Sequence, residues 1–117
     1  MQGSSQWERG TTVTVSTLRD AVAAAVAEWP GVTTKRTFGC PAFLARGEVF
    51  ALVSEQGLTL TRLDADDRRL LAETRDARPF RASGLEFGRW VTVPVESGDL
   101  EGIQVLLRAS YEATLRE

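Results

Sequence analysis

The side chains best placed to do chemistry in this chain are cations. Lys35, Arg36, Arg62, Arg81 and Arg89 fall in or beside short β-rich runs. A guanidinium there can grip a phosphate or a carboxylate with two parallel N–H groups. Together the five could form a discontinuous basic rim that meets phosphates, and such contacts weaken as salt rises. Each also has a plainer reading. Arg62 ends the run Leu58-Thr59-Leu60-Thr61-Arg62 on the side of the two leucines, and a cation closing a core face usually snorkels or pairs with a carboxylate. Lys35 and Arg36 are neighbours on one run, so they point to opposite faces and cannot share a flat site. Trp90 and Phe43 are the candidate pocket aromatics, although packing at the core or its rim explains Trp90 as simply.

Other chemistry is excluded by what the chain lacks. It has no histidine and one cysteine, Cys40. The usual general base near neutral pH is therefore missing, and with it the commonest metal ligand. Neither a Ser–His–Asp nor a Cys–His pair can form, nor a zinc site of the usual types. Cys40 has no imidazole to activate it and reads as a small buried apolar group. Asp64, Asp66 and Asp67 cluster, but the spacing fits the start of a helix and lacks the glycine and distal glutamate of a calcium loop. There is no glycine-rich phosphate loop. The expectation is a protein that is not an enzyme and takes no metal or cofactor.

These residues must be positioned by a single domain, since 117 residues is the length of one. The chain is 43% apolar and 26% charged, the balance of a globular protein that can build one core. No apolar run approaches the ~18 residues of a membrane span. The N-terminus lacks the basic and apolar regions of a secretory signal, so a cytoplasmic location is expected. The net charge is −2, which argues against a strongly basic nucleic-acid binder. Residues 33–93 nevertheless carry ten Lys/Arg against eight Asp/Glu, and residues 94–117 carry two against five. No aromatic–basic interleaving suggests base stacking on the sheet.

Residues 1–15 read as a flexible leader, with a short strand over Val13–Val15 at most; the domain occupies 16–117. Ser16 or Thr17 caps a helix running to about Glu28, with Leu18, Val22, Ala25, Val26 and Trp29 as its apolar stripe. Pro30-Gly31 stops it. Strands are predicted over Val32–Phe38, Ala42–Arg46, Val49–Ser54 and Leu58–Leu63, broken at Gly39-Cys40-Pro41, Arg46-Gly47-Glu48 and Gln56-Gly57. Val49–Ser54 is apolar on both faces and reads as central. The Leu/Thr alternation of Leu58–Leu63 predicts one core face and one wet face. Asp64 caps a short second helix. Arg75–Arg81 reads as irregular, Gly84–Gly88 as a turn, and Arg89–Val95 as a strand in which Pro94 marks an edge or a strand end. A last helix starts near Ser97–Leu100 and keeps Leu100, Ile103, Leu107, Tyr111 and Leu115 on one face.

The run Thr37-Phe38-Gly39-Cys40-Pro41-Ala42-Phe43 resembles a motif of the MmcQ/YjbR-like proteins. So do Gly47-Glu48-Val49-Phe50-Ala51, Leu58-Thr59-Leu60-Thr61-Arg62, Gly88-Arg89-Trp90-Val91, and Leu107 through Ser110-Tyr111. There is also likeness to the N-terminal domain of TfoX-type competence regulators, and the resemblance covers about residues 17–116. It implies an α+β fold, a double-split β-α-β in which helices pack on an antiparallel sheet. It implies a non-catalytic role of unknown biochemistry, with DNA binding suggested by analogy of fold. Position 62, usually Lys in the family pattern, is Arg here, and the proline that often follows is replaced by Leu63-Asp64. Two functions stand open: a DNA-binding protein using the basic rim, or a protein-interaction or small-anion-binding module using a cleft near Arg62 and Trp90. A monomer is the expected state.

Overall fold

In a computed structural model, which describes residues 14–95 and 102–116, three helices pack on one six-stranded antiparallel sheet. The elements run α1 (Val15–Val26), β1 (Val32–Thr37), β2 (Cys40–Ala45), β3 (Glu48–Ser54), β4 (Gly57–Leu60), α2 (Ala65–Thr74), β5 (Arg78–Ala82), β6 (Leu85–Val93) and α3 (Ile103–Leu115). The sheet order is β1-β2-β3-β4-β6-β5. This is the expected α+β class, with β3 inside the sheet as its apolar run predicts.

The hairpins are set by turn chemistry. Phe38-Gly39, Arg46-Gly47 and Ser83-Gly84 each place two successive residues at positive φ, the mark of a type I′ turn, whose twist matches the flanking strands. The first turn therefore takes only two residues, and Cys40 and Pro41 belong to β2 rather than to a break. At the β3–β4 connection Gly57 is obligatory for a second reason: a Cβ there would lie 2.2 Å from the Val93 carbonyl oxygen.

One face of the sheet carries the main core. Leu18, Val22 and Val26 of α1 and Ile103, Leu107 and Tyr111 of α3 bury against Phe43, Phe50, Val53, Leu58, Leu60 and Val93. Trp29, Phe50 and Tyr111 meet ring to ring, and Tyr111 Oη donates to the Pro30 carbonyl at 2.7 Å. Ser110 ties α3 to the sheet by donating to the Phe50 carbonyl at 2.7 Å and accepting from the Arg62 amide at 3.2 Å.

The other face departs from expectation. Arg78–Ala82 is a strand, Gly88 lies within β6, and the turn is Ser83-Gly84. The register slips between Pro79 and Phe80, and such a bulge bends its strand. The β5–β6 hairpin then coils across the sheet until Phe80 packs on Ala42, Leu44 and Leu52, although β5 and β2 lie far apart in the sheet order. The predicted wet face of β4 is consequently closed. Thr59 is wholly buried and its hydroxyl bonds that of Thr92 at 2.8 Å, while Thr61 donates to the Val49 carbonyl at 2.6 Å.

Helix starts were only partly legible. Thr14, not Ser16 or Thr17, caps α1 by accepting from the Thr17 amide, and α1 ends at Val26. Asp64 caps α2 as expected, accepting from the Asp67 amide at 2.8 Å. The leader up to residue 13, and the predicted start of the last helix with Leu100, lie outside the described residues.

Candidate functional site

The five predicted cations do not form one rim. The β1–β2 turn and the β2–β3 turn lie at opposite ends of the sheet, and the arginines divide between these ends. Arg36, beside the first turn, shares a cleft with Arg81. Arg62, beside the second, shares another with Arg89 and Trp90. Lys35 and Arg36 face opposite sides of β1, since their β2 partners are Ala42 and Pro41, as alternation requires.

The first cleft has a volume of about 650 Å³ and opens where the β1–β2 turn, the β3–β4 turn and β5 approach the start of α1. Arg19, Arg36, Phe38, Cys40, Gln56 and Arg81 line it. Arg81 is held by Glu86 at 2.8 Å and Arg19 by Asp20 at 3.2 Å. Arg36 donates only to the Gly39 carbonyl, at 2.6 Å, and has no carboxylate partner among the described residues. Of the three arginines that line this cleft it has the most capacity left for a ligand.

Phe38 gives this cleft its character. It is the first residue of the turn, at φ 54°, a conformation that costs a bulky side chain. Its ring is 46% exposed and leans on Phe80, Phe87 and Trp90, with centroids 5.9, 5.2 and 6.1 Å away. These contacts join the β1–β2 turn to the β5–β6 hairpin. Trp90 is itself stacked on Phe87 at 5.1 Å. The Cys40 thiol is half-buried and lies 3.6 Å from the Phe38 carbonyl oxygen.

The second cleft, about 350 Å³, is lined by Arg62, Asp64, Arg68, Arg89 and Trp90 among others. Arg62 lies just past the end of β4 and pairs with Glu48 at 2.9 Å, the carboxylate pairing expected of a cation closing that run. Arg68 donates to the Leu63 carbonyl at 2.7 Å. Arg89 has neither ion pair nor hydrogen bond among the described residues, and Asp64 is engaged as the cap of α2.

Phe43 lies outside this cleft and lines a separate groove beside β1. It is 2% exposed and packs in the helix-side core. Sequence reasoning missed Arg19, Arg68 and the exposed ring of Phe38. The Phe-Gly pair followed directly by Cys-Pro was the available signal, because a two-residue turn there forces Phe38 to positive φ. Among the described residues no three His, Cys, Asp or Glu side chains gather as metal ligands, and no helix is long and apolar enough to cross a membrane.

Residues 24–114 match the family model of the TfoX N-terminal domain. That span runs from within α1 to the last turn of α3 and includes all six strands. No curated protein matches the chain.

Proposed function

The chain belongs to the TfoX N-terminal domain family, and on that premise we propose that it is a non-catalytic binding module whose Phe38 cleft takes a small anion carrying a flat apolar group. The observation that carries this reading is the half-exposed Phe38 ring held at positive φ beside Arg36, a cation without a carboxylate partner. Strained residues persist where surrounding contacts hold them, and they cluster at binding sites. An exposed ring next to a guanidinium suits a ligand with one planar and one anionic part.

Duplex DNA is favoured less. Its phosphates reward several free cations on one face. Here Arg36 and Arg81 lie in one cleft and Arg62 and Arg89 in the other, and Arg62 and Arg81 already hold carboxylates. The chain has no histidine to transfer a proton, and among the described carboxylates Asp64 caps a helix while Glu48 and Glu86 hold arginines.

The test is an amide-resonance titration of the ¹⁵N-labelled protein with AMP, ribose 5-phosphate and adenosine. AMP should move Phe38, Gly39, Cys40 and Arg81. Each half-ligand should bind about tenfold more weakly, since about 1.4 kcal/mol is a factor of ten. Phe38→Ala and Arg36→Gln should each weaken AMP binding. A cleft silent to AMP overturns the reading. Movement of both clefts by duplex DNA, fading between about 50 and 200 mM salt, would replace it with the DNA reading.

A further inference from the structure

We propose that β1 is a docking strand, to which an extended acidic segment of a partner protein adds as a seventh strand. β1 is first in the sheet order, so only its β2 side is paired among the described residues. Thr33, Thr34, Lys35 and Arg36 are exposed, on both faces. The two-residue turn makes Thr37–Cys40 a hydrogen-bonded pair, and antiparallel ladders alternate bonded and non-bonded pairs. Lys35–Ala42 and Thr33–Leu44 therefore bond inward, while Val32, Thr34 and Arg36 aim their N–H and C=O groups outward. Pro41 opposite Arg36 agrees, since proline has no N–H to give.

Exposed edges invite strand addition, and proteins usually blunt them with proline, bulges or charge. The far edge is blunted: β5 carries Pro79 and a register slip. β1 has unbroken register with β2 and no proline. Its protection is charge alone, and that protection is selective. Pairing with the β1 of a second copy would gather two lysines and two arginines along one six-residue seam, which like-charge repulsion disfavours. An acidic strand meets the opposite situation, because neither Lys35 nor Arg36 has a carboxylate partner among the described residues.

A groove of about 330 Å³ runs beside β1, lined by Arg19 and Ala23 of α1, by Thr34, Lys35 and Arg36 of β1, and by Pro41 to Phe43 of β2. An added strand would turn alternate side chains into it, and the others toward Lys35 on the opposite face. Main-chain bonds with a side-chain groove alongside are the general mode of peptide recognition by strand addition. The matching segment alternates apolar and acidic residues, its acids turned to the side of Arg19 and Arg36.

The probe is a capped decapeptide of alternating Glu and Val, with alternating Lys and Val as its control. Bound at saturation, the Glu–Val peptide should slow hydrogen exchange at the Thr34 and Arg36 amides at least tenfold. Thr34→Pro removes an outward amide while sparing the β1–β2 ladder, and should abolish binding with the unfolding midpoint kept. A Lys35→Glu/Arg36→Glu variant should switch preference to the Lys–Val peptide, which tests the idea independently should Thr34→Pro fail to fold. The proposal is overturned if neither peptide slows the two amides, or if both peptides bind alike. It is also overturned if the amides are already protected in the free protein, which would mean that the edge is filled by this chain or by a second copy.

Discussion

Phe38 sets two effects against each other, and two variants separate them. Left-handed backbone costs a residue with a side chain roughly 1–2 kcal/mol. A fully enclosed aromatic buries roughly 150–250 Å², so a ring left 46% exposed buries about 100 Å². At about 25 cal/mol per Å² that is worth about 2.5 kcal/mol, and its ring pairs add about 0.5–1.5 kcal/mol. Burial therefore outweighs strain. Phe38→Ala loses the ring and keeps the backbone penalty, so it should lower stability by about 2–4 kcal/mol. Phe38→Asn loses the same ring but regains about 1 kcal/mol, because asparagine suits the first position of a type I′ turn. Urea unfolding followed by far-ultraviolet circular dichroism should rank wild type above Phe38→Asn, and Phe38→Asn above Phe38→Ala. If Phe38→Asn matched or exceeded wild type, the ring contacts would not be what holds the turn. If the two variants were equal, there would be no strain for them to hold.

The remaining predictions concern how the sheet is closed. Gly57→Ala drives a methyl into the Val93 carbonyl, 2.2 Å away, and should cost about 3 kcal/mol or more. Gly47→Ala, with no atom within 4 Å of the new methyl, should cost only the backbone term of about 1–2 kcal/mol; the comparison needs only two chemical unfolding curves. Thr59→Val leaves the buried Thr92 hydroxyl without its partner and should cost about 1–3 kcal/mol, whereas Thr59→Val/Thr92→Val should be nearly neutral; a double-mutant cycle measures the coupling. Ser110→Ala removes one bond to the Phe50 carbonyl and one from the Arg62 amide, so it should lower stability by about 2–3 kcal/mol in a thermal scan.

What the sequence made legible was local. The apolar stripe of α1, the central place of β3, the Asp64 cap and the opposed directions of Lys35 and Arg36 follow from periodicities of 3.6 and 2. The coil of the β5–β6 hairpin does not, since no short-range pattern says which face a hairpin will cover. Leu58–Leu63 shows the difficulty. Its Leu/Thr alternation is the pattern of a half-wet strand, yet Thr59 is buried and bonds Thr92, its partner on β6, 33 residues later. Arg75–Arg81 failed for a related reason. Pro79 argues against a strand, but at a sheet edge, beside a bulge, proline is tolerated. The site suffered most. The division of the arginines between two ends depends on which turns lie together, and that is set by the order of the strands rather than by their residues.

The closure of both faces decides where recognition can occur. Helices cover one side of the sheet, and the hairpin with its aromatic cluster covers much of the other. A ligand is left with the ends of the sheet and its free edge. Those are the places where local requirements are unmet: among the described residues, Phe38 sits at positive φ and is half-exposed, Arg36 and Arg89 have no carboxylate, and no strand pairs with the outer side of β1. In the interior Thr59 pairs with Thr92 and Ser110 with the Phe50 carbonyl, whereas the buried Thr37 hydroxyl, next to Phe38, has no hydrogen-bond partner among the described residues. A chain that pairs the hydroxyls of Thr59, Thr61 and Ser110, yet leaves a strained aromatic and a regular edge open at its surface, has unmatched groups where a partner can reach them. The Phe38 cleft and the β1 edge share Arg36, which lines both the cleft and the groove beside the edge and whose main chain belongs to the edge. Occupancy of one should therefore alter affinity at the other. An AMP titration repeated with the Glu–Val peptide at saturation reads that coupling directly, and an unchanged AMP affinity would mean that the two sites are independent.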